Sequence, residues 1–303
     1  MTLAYTPYIS NGDLTPDHQG KTRESYNRAE RIMVQVATDR VSTHNIVHLS
    51  TIPFKGEVLT MLTVFWLTEV LQEFPNHLLV FGRAIYDYLP AGMEDKYPEL
   101  HYRTLVVKRL EMTPREFVHR RYLTGSLLID YQEGRDPYGL QLPPGLVEMS
   151  RFNELVFTPT EKTDTDDPVD AGETTREFLA ETSMTREALT MVESFLRSLG
   201  IVIVDTKEEV GRDGTIVTLA DELFTPDSSR FAWQKDIKEG VAPLWLDKQV
   251  VRDEATRLWA GGKKVPLLFS EQKISETMTK YLTLLEYITG RSHRAWRTTF
   301  DQS

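Results

Sequence analysis

Residues 201–221 read IVIVDTKEEVGRDGTIVTLAD, and this stretch constrains the fold more than any other. Ile201, Val202, Ile203 and Val204 form an unbroken apolar run, the mark of a strand buried on both faces. Arg212-Asp213-Gly214 is a turn signal, and Thr215 to Leu219 returns as a second strand. The strand period of two places Asp205, Lys207 and Glu209 on one face, and the hairpin brings Asp221 back toward them. Two acids able to share a cation, with a lysine between them, suit Mg²⁺ held over phosphate oxygens. A solvated strand end carrying ordinary salt bridges has the same local pattern, so both readings stand at this level.

The rest of the chain supplies both element types. The first ~110 residues are mostly short β segments. Gly20-Lys21-Thr22-Arg23 is a turn between two extended pieces, and Arg31 to Ala37 alternates as a half-buried strand does. Leu59 to Phe74 is a helix stopped by Pro75, and Thr104 to Leu110 is a strand. After Pro114 the texture turns more helical: Glu116 to Tyr122 is a short element, 157–173 an acidic loop, and Arg186 to Leu199 a helix ended by Gly200. Ser275 to Ile288 is a further helix. The expected fold is α+β, with a β-rich N-terminal lobe over 1–110 and a mixed lobe over 111–303.

Three further patches have the residue types of an anion site. Thr225-Pro226-Asp227-Ser228-Ser229-Arg230 combines hydroxyls with one arginine, which suits either an anion cradle or a capped turn into a helix. His119-Arg120-Arg121-Tyr122-Leu123-Thr124-Gly125-Ser126 offers guanidinium, hydroxyl and backbone N–H groups, or merely a solvated basic face. The Gly20 turn with Lys21 and Arg23 resembles a phosphate-covering loop, although it lacks the spacing of a Walker A motif. Thr38 to Asn45, followed by Ile52 to Glu57, is either a substrate loop or a connector.

Composition narrows the function classes. With no cysteine among 303 residues, disulfides, thiolate metal sites and a cysteine nucleophile are excluded. Seven scattered histidines give no zinc spacing. Ten more acids than bases argue against a nucleic-acid binder, whose phosphate contacts need a basic surface. The start MTLAYTPYIS lacks the regions of a signal peptide, and the longest apolar stretch, Met61 to Phe74, is interrupted by polar residues well short of a membrane span. A cytoplasmic protein with no membrane partner is expected, its oligomeric state open and a monomer compatible.

Taken together, GKTRESY, DRVSTHN, IPFKGEVLT, VVKRLEMTPREFVHRRYLTGS, PPGL, FTPTEKTD, IVIVDTKEEVG, LADELFTPDSSRF and LDKQVVRD resemble the longer form of the SAICAR synthetase (phosphoribosylaminoimidazole-succinocarboxamide synthase) family, in the family's order and across most of residues 20–253. The resemblance implies a kinase-like, ATP-grasp-related two-lobed fold and an ATP-dependent ligase of purine biosynthesis. Such an enzyme joins L-aspartate to the carboxylate of carboxyaminoimidazole ribotide through an acyl phosphate, releasing ADP and phosphate. It implies that Lys21 and Arg23 contact ATP phosphates and that the backbone from Lys108 to Leu110 is the adenine-binding hinge. Glu209 and Asp221 would bind Mg²⁺. Arg120, Ser126, Ser228 and Arg230 would hold the ribotide phosphate, Asp167 would contact substrate, and Asp205 and Lys207 would lie at the reacting groups.

The chain departs from the family pattern in places. After Asp-Arg the family reads S-A-[FY]-D, whereas here Ser42-Thr43-His44-Asn45 ends in an amide. The family's His-Asp pair in the loop at 163–170 is either Asp166-Asp167 or missing. Glu208 and Val210 stand where the family has phenylalanines. These changes leave open a paralogue acting on a different carboxylate or amine, or a non-catalytic nucleotide-binding homologue.

Overall fold

The computed structural model describes residues 14–163 and 165–303; residues 1–13, on which the signal-peptide reading rests, and Asp164 of the 163–170 loop lie outside them. By their contacts the residues fall into two units. One comprises the chain up to Phe65 together with His77–Leu110 and Asp247–Ser303, and the other comprises Trp66–Asn76 and Glu111–Leu246.

The first unit begins with β1 (His18–Gln19), β2 (Arg23–Ala29) and β3 (Ile32–Ala37), followed by β4 (Arg40–Thr43), β5 (Ile46–Thr51) and α1 (Lys55–Phe65). β6 (Leu78–Val80), α2 (Met93–Lys96) and β7 (Thr104–Lys108) follow, and an antiparallel sheet runs β1-β2-β3-β7-β6. The alternation in β3 turns Val34 and Val36 into a core with Tyr26, Ile85, Met93, Leu100 and Val106. β4 and β5 pair separately around His44 and Asn45, whose φ of 48° and 65° give the two left-handed positions of a type I′ hairpin turn. The stretch at 38–45, expected as a substrate loop or a connector, is therefore the first strand and turn of a hairpin. Every residue of α1 is buried, so it is a core helix, and a π-helical turn over Trp66–Val70 ends it earlier than Pro75.

The second unit contains β8 (Glu111–Met112), β9 (Arg115–Tyr122), α3 (Gly125–Gln132), β10 (Arg151–Phe157), β11 (Thr160–Glu161), α4 (Ala171–Glu177), α5 (Leu179–Ser198), β12 (Ile201–Asp213), β13 (Ile216–Ala220) and β14 (Ser229–Trp233). Asp205 and Thr206 have partners on both β9 and β14, and Gly211 and Arg212 on both β8 and β13. β12 is thus flanked on both sides at Asp205–Thr206 and at Gly211–Arg212, and the run from Ile201 does not end at Val204. Three expectations change with it. Residues 115–122 are a strand, the 225–230 turn leads into β14 and not a helix, and the 157–173 loop contains β11 and the start of α4. α5 starts at Leu179 and covers one face of β12 with Thr185, Ala188, Val192 and Leu196.

Residues 247–303 return to the first unit as α6 (Gln249–Trp259), α7 (Glu271–Thr289) and α8 (His293–Gln302), so they do not group with 111–246 as the division at residue 110 expects. The reason is burial and charge pairing. Val251, Ala255, Trp259 and Phe269 pack on Val41 and Ile52. Glu57 of α1, fully buried, accepts from Arg297 Nη2 at 2.7 Å and His293 Nε2 at 2.7 Å on α8, and from Arg103 Nη2 at 3.2 Å. No helix among the described residues is long and apolar enough to cross a membrane.

Candidate functional site

In the second unit, side chains of one sheet face build a charged cluster. Asp205 on β12 lies opposite Arg120 on β9 and Arg230 on β14. Its Oδ2 accepts from Arg120 Nη1 at 2.7 Å and from Arg230 Nη1 at 2.5 Å. Arg120 also donates to Ser126 Oγ at 3.3 Å and, through Nε, to Thr158 Oγ1 at 2.9 Å. One carboxylate thus lies between two guanidinium groups. Burial pulls Arg120 below the ordinary arginine value; Asp205 supports its charge and Arg230 opposes it. Two adjacent guanidinium groups have the geometry to receive an anion supplied from outside. Gly125 makes the approach possible: its φ is 60°, and a Cβ there would stand 2.7 Å from Arg230 Nη2.

Further along the same face, Lys207 Nζ meets Glu116 Oε1 at 2.5 Å and Glu209 Oε1 at 3.4 Å, while Lys162 pairs with Glu209 Oε2. Burial opposes the charge of Lys207, but Glu209 and Glu116, with Asp221 behind them, outweigh it and hold the ammonium above its ordinary value. Glu116 Oε2 accepts from Thr160 Oγ1 at 2.9 Å. Thr158, Thr160 and Lys162 therefore hang from the extended segment around β11 onto Arg120, Glu116 and Glu209 in turn, one every second residue. Thr158, Thr160, Lys162 and Glu116 are not among the residues expected from sequence; the alternation at 158, 160 and 162 is the signal by which the first three could be found.

The opposite face takes the intervening residues. Arg121 forks onto Glu193 of α5 at 2.9 and 2.7 Å, and His119 shares a 2.9 Å hydrogen bond with Thr185 of α5. The adjacent arginines thus part company: Arg120 goes to the cluster and Arg121 to a helix. Burial lowers His119 to about 3, leaving the imidazole neutral. Glu208, between Lys207 and Glu209, is also buried; burial pushes it well above the carboxylate range, and neither oxygen finds a partner among the described residues.

The other expected residues divide. Glu209 pairs with Ala220, which puts Asp221 one residue beyond it, at φ 57°. Ser228 closes its own turn, with Oγ accepting from Thr225 N at 3.2 Å, while its carbonyl accepts from Lys207 N at 2.9 Å. Asp167 is not brought to the cluster; it is exposed and accepts from Thr165 Oγ1 at 2.6 Å.

In the first unit the Gly20 turn is held from beneath by Arg40. The buried guanidinium donates to the carbonyls of Gly20 at 3.1 Å and Lys21 at 3.2 Å, and to Glu24 Oε1 at 2.9 Å. With the turn's carbonyls tied inward, Lys21 is exposed and donates to Asn45 Oδ1 at 2.7 Å, while Arg23 begins β2 half-buried. Lys108 ends β7 opposite Ile32, its N–H donating to His77 O at 2.7 Å, and Leu110 follows half-buried. Arg40 was not among the expected residues, though it lies in the polar stretch at 38–45.

The sequence pattern of the SAICAR synthetase family matches residues 17–267. A phosphoribosylaminoimidazole-succinocarboxamide synthase of Streptomyces coelicolor is 39% identical over 288 residues, spanning 91% of this chain and 93% of its own. That of Pasteurella multocida is 38% identical over 283 residues, spanning 90% and 96%. A solved SAICAR synthase from Saccharomyces cerevisiae complexed with SAICAR aligns with a TM-score of 0.82 at 32% identity, over 93% of this chain and 97% of that one.

Proposed function

The chain belongs to the SAICAR synthetase family, and from that premise we propose which of its residues carry the reaction. That reaction is the ATP-dependent, ligase-type formation of SAICAR in purine biosynthesis. In our reading the carboxylate is that of carboxyaminoimidazole ribotide and the amine that of L-aspartate. A carboxylate is a poor electrophile. One of its oxygens attacks the γ-phosphorus of ATP, ADP leaves, and an acyl phosphate forms. The aspartate amine then attacks the acyl carbon and loses a proton as phosphate departs.

The observation that carries the residue assignment is the Arg120–Asp205–Arg230 cluster. Its two guanidinium groups and the Ser126 hydroxyl suit the ribotide phosphate, with Ser228 on the turn before β14. Asp205 orients both guanidinium groups through one oxygen. Lys207, held charged by its acids, is suited to countering negative charge that develops on the activated carboxylate. In the first unit, Lys21 and Arg23 are the proposed contacts to ATP phosphates and the backbone from Lys108 to Leu110 the contact to adenine.

Glu209 and Asp221 fit Mg²⁺. They are hard oxygen donors, Glu209 opposite Ala220 at the end of the β12–β13 ladder and Asp221 the residue that follows. Mg²⁺ is commonly held by one or two carboxylates completed by substrate phosphates, and among the described residues no group of three or more His, Asp or Glu could hold an ion by itself. When bound there, the ion would neutralise phosphate charge.

The test is turnover by the purified protein with Mg·ATP, L-aspartate and the ribotide, following ADP and product. Product only when all three are present is expected. ADP release with a different amine or carboxylate, and none with this pair, would overturn the substrate assignment. Arg230→Ala should raise the KM for the ribotide by ~10²-fold, the loss of one charge-assisted contact, and leave that for ATP nearly unchanged.

A further inference from the structure

Glu209 has an ammonium group on each oxygen, and the two are held very differently. Lys207 projects from an interior strand and is fixed a second time by Glu116. Lys162 follows the two-residue strand β11, its side chain is 39% exposed, and Glu209 is its one polar partner among the described residues. Its backbone is steadied nearby, because Thr158 and Thr160 are tied to Arg120 and Glu116. Its four-carbon stem can therefore swing without moving the sheet.

A divalent cation and an ammonium group cannot both sit against the same carboxylate oxygen, since their like charges repel at contact distance. From this we propose that Lys162 guards Glu209: it holds the carboxylate until a divalent cation takes that oxygen, and the released ammonium turns to anionic substrate groups. The inference rests on the reading of Glu209 as a Mg²⁺ ligand. It makes Lys162 a positioning residue that keeps an acid on an interior strand compensated before the ion arrives and supplies a mobile cation afterwards.

The test is Mn²⁺ binding to the full-length protein with no nucleotide added, followed by EPR of the free ion. Lys162→Met should bind Mn²⁺ about two- to fivefold more tightly, the fold-change of losing a half-exposed ion pair as competitor, while turning over more slowly. Lys162→Arg, which retains the competing charge, should return Mn²⁺ affinity to the wild-type value. Unchanged or weaker Mn²⁺ binding by Lys162→Met overturns the guarding role. Glu209→Gln is the separate check on the premise: it should lose Mn²⁺ binding, and wild-type affinity in that variant would overturn the metal reading itself.

Discussion

Glu57 offers a stability prediction whose size can be worked from the structure in two ways. Its carboxylate is fully buried at the start of α1 and accepts from Arg103, from His293 and twice from Arg297. Burial alone would raise its pKa, but the hydrogen bonds from His293 and Arg297 and the charges of Arg103 and Arg297 bring it down from 4.5 to about 2. A carboxyl group whose pKa is lower in the folded chain adds stability above its unfolded value and loses it as the pH falls through the folded value. The window is therefore about 4.5 down to about 2, and the full contribution at neutral pH is about 3 kcal/mol. Breaking a buried charge pair by removing one partner costs about 3–5 kcal/mol, which agrees. Glu57→Gln keeps the shape and removes the charge. Urea unfolding at about pH 7 should show the variant less stable by about 3 kcal/mol, and at about pH 3.5 the gap should narrow to about 2 kcal/mol because Glu57 of the unfolded wild-type chain is by then protonated. A neutral-pH difference under about 1 kcal/mol, or a gap that does not narrow in acid, would refute the reasoning.

Two kinetic predictions address the sites. Gly125→Ala puts a methyl group where Arg230 now lies, in a left-handed conformation costing about 1–2 kcal/mol, so the ribotide KM should rise at least about tenfold while the ATP KM holds; an unchanged ribotide KM would contradict the placement of Arg230. Asn45→Asp would convert the 2.7 Å contact of Lys21 into an exposed ion pair worth about 0.5–1 kcal/mol, and steady-state kinetics should show the ATP KM rising about two- to fivefold; a lower KM would mean that Lys21 does not serve the nucleotide.

The departures noted in the sequence look different with the fold in hand. Asn45 occupies the second left-handed position of a hairpin turn, which accepts asparagine and aspartate alike, so the backbone tolerates the amide and what distinguishes it from a carboxylate is its uncharged contact with Lys21. Glu208, where the family resemblance expects an apolar residue, is fully buried on the face away from Lys207 and Glu209, and its oxygens do not bond to the charged cluster. Asp167 lies on an exposed turn around Thr165.

Period-two alternation is a local property, which is why Asp205, Lys207 and Glu209 could be placed on one face, and Asp221 near them, from residues 201–221 alone. The Gly20 turn, β3 and the hairpin at 212–214 were legible for the same reason: short-range backbone geometry determines them. Whether that face was a solvated strand end or an enclosed site was not a local matter. It depended on β9 and β14 flanking β12, on the β11 segment bringing Lys162 to Glu209, and on α5 claiming Arg121 while leaving Arg120 to Asp205. The return of α6–α8 to the first unit depended likewise on Glu57 meeting Arg297, 240 positions later. Contacts across such separations leave no periodic trace in a single sequence. They are selected by burial and charge compensation once the whole chain has closed, and so the residue types were in the sequence while their pairing was decided by the tertiary structure.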